Sequence, residues 1–311
     1  MAQLQSTCVT GFLNIPSTSA ATVGNIWYNA SINKLQYAYQ GAAVLGTWSS
    51  GGALSVARYA LAGAGTQNAA VVFGGYIFAN TEAYNGTSWS TGGALITQRA
   101  GLGGAGTQNA ALAFGGRGLG PTTSCTEAYN GTSWSTGGAL IGVKAYLAGA
   151  GTQSAALAFG GYPATNAQQY NGTSWTAGGA MITGRNCLAG AGTQNAGLAF
   201  GGYSFVSCTE KYNGSTWSAG GALITARRQL AGAGTQNDAV AFGGAVPAGN
   251  SLATEQFNGT SWVSCGNLIT ARQWLAGAGT SSLALAMGGK TNVCVSCTEE
   301  YGQLPVCTCT L

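Results

Sequence analysis

The sequence predicts an all-β fold, a six-bladed β-propeller of four-stranded blades, and three observations carry that prediction. Six tryptophans recur at Trp48, Trp89, Trp134, Trp175, Trp217 and Trp262, with gaps of 41, 45, 41, 42 and 45 residues. A set of Gly-Gly pairs ending at Gly75, Gly116, Gly161, Gly202, Gly244 and Gly289 repeats the same five gaps in the same order. One Trp and one Gly pair per unit of this length marks a blade repeat. The first Trp precedes every Gly pair, and no Trp follows the last one. The ring is therefore cut inside a blade, and the N-terminal strand around Trp48 is expected to complete the last blade.

In chain order, residues 1–43 do not match the repeat. The stretch from Gly24 to Gln40 reads as a β-hairpin of alternating aromatic strands around Trp27, Tyr28, Tyr37 and Tyr39. It is too small for its own core and is expected to dock on the propeller or on another chain. Residues 44–301 hold the propeller. Residues 302–311 form a short tail containing Cys307 and Cys309.

Each strand of a unit has its own reason. In the unit that opens at Arg227, the first strand alternates Ala and Gly from Leu230 to Thr235. Blades converge on the axis, so the innermost strand must carry small side chains. The second, Ala239-Val-Ala-Phe242, is the apolar run buried between neighbouring blades. A Gly pair ends it, where a positive φ or a tight exit is required. The third is Thr254-Glu-Gln-Phe257, and the fourth carries Trp262. Asn-Gly steps at Asn85, Asn130, Asn171, Asn213 and Asn258 join third to fourth strands, a strong hairpin signal. They also read as N-glycosylation sequons, but turn chemistry accounts for all five. Closing the ring with the Trp48 strand removes the open sheet edges that invite aggregation.

Composition narrows the function classes. The chain has 311 residues, 11 basic and 7 acidic, for a net charge of +4. No Lys/Arg cluster points to nucleic acid. No apolar run is long enough to span a membrane, and the first residues lack the basic and apolar regions of an export signal. Histidine is absent, which removes His-dependent triads, His-ligated metals and imidazole acid–base chemistry. Five of the seven carboxylates occupy one repeated position, leaving Asp238 and Glu300. The expectation is a non-enzymatic protein without catalytic residues or cofactor.

The nine cysteines leave an odd thiol. Cys125, Cys208 and Cys297 share one repeat position in separate blades, too far apart to pair. Cys187 with Cys208, and Cys265 with Cys294 or Cys297, are candidate local disulfides. Cys294, Cys297, Cys307 and Cys309 have weak zinc-site spacing, and no metal is expected.

A Gly pair after the second strand, then an aromatic, then a Trp resembles the kelch (galactose-oxidase-like) repeat. The matches are Gly75/Tyr84/Trp89, Gly116/Tyr129/Trp134, Gly161/Tyr170/Trp175, Gly202/Tyr212/Trp217, Gly244/Phe257/Trp262 and Gly289/Tyr301 with Trp48. The resemblance implies the fold and says little of function. An oxidase of this type would need copper-binding His, and a sialidase would need Asp-box turns. This chain has no His and one Asp.

Each Trp is followed ten residues on by a base: Arg58, Arg99, Lys144, Arg185, Arg227 and Arg272. Five units carry Glu two residues before the aromatic, at Glu82, Glu127, Glu210, Glu255 and Glu299. One reading is a sugar site in every blade. The preferred one is a buried ion pair pinning the start of strand one to strand three, because the third unit departs at both positions together, with Lys144 and Gln168.

Function is expected where the repeats differ. The strand four–one and two–three connections share one face in kelch propellers. Here their variable residues collect Tyr59, Tyr146, Arg228, Trp274, Tyr76, Phe78, Arg117, Tyr162, Tyr203, Phe205 and Lys290. Aromatics with a few bases and almost no acids suit carbohydrate or a protein partner.

Gly24-Asn-Ile-Trp-Tyr-Asn29 followed by Lys34-Leu35 and Tyr37 resembles the attachment modules of bacteriophage tail and fibre proteins. That resemblance implies a virion structural protein, a tail, fibre or decoration component. It would assemble in the host cytoplasm, be exposed outside and form a homo-oligomer. Residues 1–43 would hold other virion proteins and the propeller face would meet host surface glycan or a neighbouring virion protein, with neither nucleic acid nor membrane insertion involved. The alternative is an intracellular kelch-type adaptor with a protein ligand.

Overall fold

The computed structural model describes residues 46–76, 78–163 and 165–302, together with the paired backbone of Ile26–Asn29 and Lys34–Tyr37. The chain forms two units. In the first, Ile26–Asn29 pairs antiparallel with Lys34–Tyr37, Ile26 opposite Tyr37. Tyr39, Cys307 and Cys309 lie outside the described residues, as does most of the segment expected to attach to other proteins.

The second unit, Gly46–Gly302, contains six four-stranded antiparallel sheets arranged as a propeller. Blade 1 runs Ala62–Thr66, Ala69–Phe73, Thr81–Tyr84 and Trp89–Gly92, from the axis outward. Blades 2 to 5 repeat this order. Blade 6 takes Ala276–Gly279, Leu283–Met287 and Thr298–Gly302 from the chain's end and Thr47–Ser50 from its beginning, with Tyr301 opposite Trp48. The expected closure by an N-terminal strand is therefore present. Among the described residues no helix is long and apolar enough to cross a membrane.

The innermost strands touch one another in a closed ring, and small residues make that possible. A Cβ placed on Gly104 would lie 3.0 Å from the carbonyl oxygen of Gly63 in the neighbouring blade. The second strands are buried along most of their length: Val71, Val72 and Phe73 expose no surface. Their side chains fill the gaps between blades. Phe73 meets Trp134 of the next blade at 4.9 Å, and Phe242 meets Trp48 at the same separation.

Each Trp is thus a bolt between blades. Its indole Nε1 donates to the first Thr of the preceding third strand, as Trp134 does to Thr81 (2.8 Å) and Trp48 to Thr254 (2.9 Å). Blade 3 has Ala167 at that position, and Trp217 donates to the Gly179 carbonyl instead. A second bolt lies in the Gly-Thr-Gln step. Gln108 Nε2 donates to the carbonyls of Ala70 (3.0 Å) and Tyr84 (2.6 Å) in the preceding blade. Gln67, Gln153, Gln194 and Gln236 do the same. Buried Ser281 stands at the sixth position.

One sequence reading holds and one needs correction. The Asn-Gly steps do turn the third strand into the fourth. Tyr84 pairs with Trp89, leaving a four-residue turn in which Asn85 Oδ1 accepts from the amides of Thr87 and Ser88. The candidate disulfides are absent, since Cys187, Cys208, Cys265, Cys294 and Cys297 are all free thiols. Cys187 is buried at the axial end of its blade, whereas Cys208 precedes the third strand. Cys265 lies buried beside the Tyr301 hydroxyl, whereas Cys294 is exposed in a loop.

Candidate binding face

The blade topology sorts the connections by end. Strand one–two and three–four turns lie at one end. Strand two–three and four–one connections lie at the other, and all the variable residues singled out above lie in or beside them. Three layers of residues build this face.

The deepest layer is the charged one. Arg58 bonds Glu82 at 2.9 Å, Arg99 bonds Glu127 at 3.1 Å and Arg227 bonds Glu255 at 3.0 Å, while Arg185–Glu210 and Arg272–Glu299 pair likewise. All ten side chains are buried, out of reach of a ligand. Burial lowers the pKa of Arg58, Arg99 and Arg227, and the facing carboxylate opposes it. The Glu also receives backbone amides of the four–one connection: Ile96 and Thr97 donate to Glu127. In the third unit Lys144 does not reach Gln168. Its Nζ donates to the carbonyls of Gly160 (3.4 Å) and Asn166, and Gln168 Oε1 takes the Ile141 amide.

Above this layer, the residue after each base meets the residue after each Gly pair. The Tyr76 amide donates to the Tyr59 carbonyl, Ala100 pairs with Arg117, Ala145 with Tyr162, Arg228 with Ala245 and Gln273 with Lys290. The Gly pair makes the necessary exit, with φ of 67° at Gly74 and 114° at Gly75.

The second residue after each base forms a ring around the axis. Ala60 N donates to Trp274 O (2.9 Å), Gly101 N to Ala60 O (2.8 Å) and Tyr146 N to Gly101 O (2.6 Å). Cys187 N donates to Tyr146 O (2.8 Å), Gln229 N to Cys187 O (2.7 Å) and Trp274 N to Gln229 O (2.8 Å), closing the circle. All six residues have φ between 55° and 59°, a region that costs a non-glycine residue free energy. Burial among these groups pushes the Cys187 thiol up to about 12.

The named face residues fall into distinct groups. Tyr59 and Tyr76 stack at 5.1 Å and 18°, with Lys290 Nζ 5.2 Å from the Tyr59 ring. The Arg228 guanidinium lies over Phe205 (4.6 Å) and Tyr203 (5.4 Å). Tyr146 and Trp274 meet over the axis. A cavity of about 350 Å3 is lined by Tyr76, Gln98, Arg117, Leu119 and Tyr146, among others. Phe78 and Tyr162 join none of these ring contacts, and Tyr162 is exposed.

Three members of this face were not singled out from sequence: Gln98, Leu119 and an outer rim of isoleucines. Ile96, Ile141, Ile182, Ile224 and Ile269 are each more than half exposed. Their recurrence three residues before the repeated base was a readable signal. Among the described residues no group of His, Cys, Asp or Glu could hold a metal ion.

No protein-family model matches the chain, and no curated protein matches it in sequence.

Proposed function

We propose that this chain is a non-enzymatic, kelch-type virion protein of a bacteriophage that attaches to a surface glycan through the face described above. One observation carries the reading: this face gathers exposed aromatics and all three partly or fully exposed arginine and lysine side chains of the loops, without an unpaired carboxylate. Aromatic faces with amphipathic polar tips suit sugar rings, whose C–H faces are apolar and whose hydroxyls seek hydrogen bonds. The absence of histidine and the enclosure of five carboxylates in ion pairs leave few groups for acid–base catalysis. The virion setting is supported by the phage-like sequence from Gly24 to Tyr37 and the kelch assignment by the Gly pair, aromatic and Trp spacing.

Two measurements test this. Mass spectrometry of purified virions is expected to detect the chain, and its absence there would remove the virion assignment. A glycan array probed with the full chain is expected to show retention that Tyr76→Ala abolishes. Retention on no glycan would remove attachment to sugar.

A further inference from the structure

We infer that the cavity where blades 1, 2 and 3 meet binds an acidic saccharide unit, its ring against Tyr76 and Tyr146 and its anionic group on the Arg117 guanidinium. The inference rests on the attachment reading above and adds the class of sugar and its place.

The distribution of charge favours an anion at this face. Five arginines are consumed by buried glutamates, and Lys144 is buried. Lys211 sits toward the opposite end, donating to the Gly259 carbonyl. The remaining cations among the described residues of the propeller are Arg117, Arg228 and Lys290, all on the loop face. The two carboxylates outside the ion pairs lie elsewhere. Asp238 is in a strand one–two turn at the opposite end, and Glu300 accepts the Tyr84 hydroxyl at 2.5 Å. An uncompensated positive face attracts and orients an anion.

Arg117 has an uncommitted side chain on a fixed backbone. Arg228 spends its guanidinium on two aromatic rings. Among the described residues the Arg117 side chain has no ion pair, hydrogen bond or ring contact, and it is exposed. Its backbone is fixed on both sides, bridging to Ala100 and to Thr122. A planar fork on a rigid backbone suits bidentate recognition of a carboxylate or phosphate oxygen pair.

The cavity supplies the rest. At about 350 Å3 it lies at the lower end of small-molecule sites, which run from about 300 to 1,000 Å3. Tyr76 is half exposed and braced by its stack on Tyr59. Tyr146 is held in the axial ring. The Gln98 amide, without a hydrogen bond among the described residues, offers both a donor and an acceptor. Aromatic walls, one amide and one guanidinium fit a ring with hydroxyls and one negative group. A peptide strand would require an open sheet edge or a long apolar groove, and a nucleic acid would require a denser basic track.

Affinity electrophoresis of the full chain through gels containing defined polymers tests the inference. The polymers are polygalacturonate, phosphomannan, carboxyl-reduced polygalacturonate and polyglutamate. Retention at least tenfold stronger on an acidic saccharide than on the reduced polymer is expected, and which acidic gel retains the chain identifies carboxylate or phosphate. Arg117→Gln and Tyr76→Ala are expected to weaken retention at least tenfold with unchanged thermal midpoints. Lys211→Gln, an equal charge change far from the cavity, should stay within twofold. Equal retention on the reduced polymer overturns the acidic-sugar inference and leaves attachment standing. Equal retention on polyglutamate assigns the site to a peptide. A loss with Lys211→Gln as large as with Arg117→Gln makes the effect one of overall charge and overturns the site. Retention on no saccharide, acidic or neutral, removes the attachment reading as well.

Discussion

Tyr146 and Trp274 start blades 3 and 6, on opposite sides of the ring, yet their side chains meet with centroids 5.3 Å apart. Both lie in the circle of six left-handed residues whose amides bond one another around the axis. The contact therefore spans the propeller and caps one end of its channel. An aromatic pair of this kind contributes about 0.5–1.5 kcal/mol beyond area burial. A double-mutant cycle of Tyr146→Ala and Trp274→Ala, read by urea denaturation, is expected to return a coupling in that range. Strict additivity would show that the rings do not support each other.

The same circle predicts unequal responses at two small residues. Gly101 has a φ of 59°, and an added Cβ would fall 2.6 Å from the Tyr146 ring. Gly101→Ala thus adds left-handed strain and a clash, at a cost of about 1–3 kcal/mol. Ala60 has a φ of 55°, so Ala60→Gly relieves strain while loosening the unfolded chain, and the two nearly cancel. Thermal melts should separate the variants clearly, and equal losses would refute the strain argument.

Lys144 gives the fold a pH dependence. Burial among carbonyls, with no carboxylate beside it, lowers its pKa from 10.5 to about 8. Between those values the unfolded chain binds the proton that the folded chain has released, so stability rises with pH across the window. The penalty, on the order of 3 kcal/mol, is fully present below pH 8 and relieved above pH 10.5. Replacing Lys144→Arg and Gln168→Glu together restores the pair found in the other five blades. The difference in unfolding free energy between variant and native chain should shrink as pH rises through this window, and a pH-independent difference would refute the assignment.

The glutamine bolts yield a matched pair of variants. Gln108→Ala strips two buried carbonyls in blade 1 of their side-chain donor, a loss of about 1–3 kcal/mol. Ser281→Gln places the missing amide at the junction of blades 5 and 6, and a gain of about 0.5–1.5 kcal/mol is expected. Urea midpoints moving in opposite directions would confirm the pairing, and a destabilising Ser281→Gln would show that this gap is packed for serine.

The repeat was legible because packing demands were copied six times. Trp and Gly pairs in step disclosed the ring and the blade in which it is cut, and the joint departure of Lys144 and Gln168 disclosed the layer to which Arg and Glu belong. The axial ring was not legible. Its six positions hold Ala60, Gly101, Tyr146, Cys187, Gln229 and Trp274, with no common side chain, because backbone bonds between blades impose the left-handed conformation. For the same reason Tyr59 and Arg228 looked equivalent to Tyr146 and Trp274 in sequence. They occupy a different layer, bonded within their own blade, and only the folded register separates the two. The groove beside Arg117 draws on three blades and has no signature along the chain.

The closing strand supplies the last prediction. Trp48 lies against Phe242 and Tyr301 and donates to Thr254, so one side chain ties the first strand to blades 5 and 6. It is 7% exposed. Trp48→Ala is expected to cost about 3–5 kcal/mol through lost burial and the cavity left behind. Trp89 makes the equivalent contacts inside a continuous blade and is only partly buried, with Met287 of blade 6 in place of the usual Phe. Trp89→Ala should therefore cost less. The two losses also differ in kind. Freeing Thr47–Ser50 opens the edge of Thr298–Gly302, and an open edge templates association. Light scattering during thermal unfolding should rise earlier for Trp48→Ala than for Trp89→Ala at matched stability, and coincident onsets would show that the ring stays closed without its tryptophan.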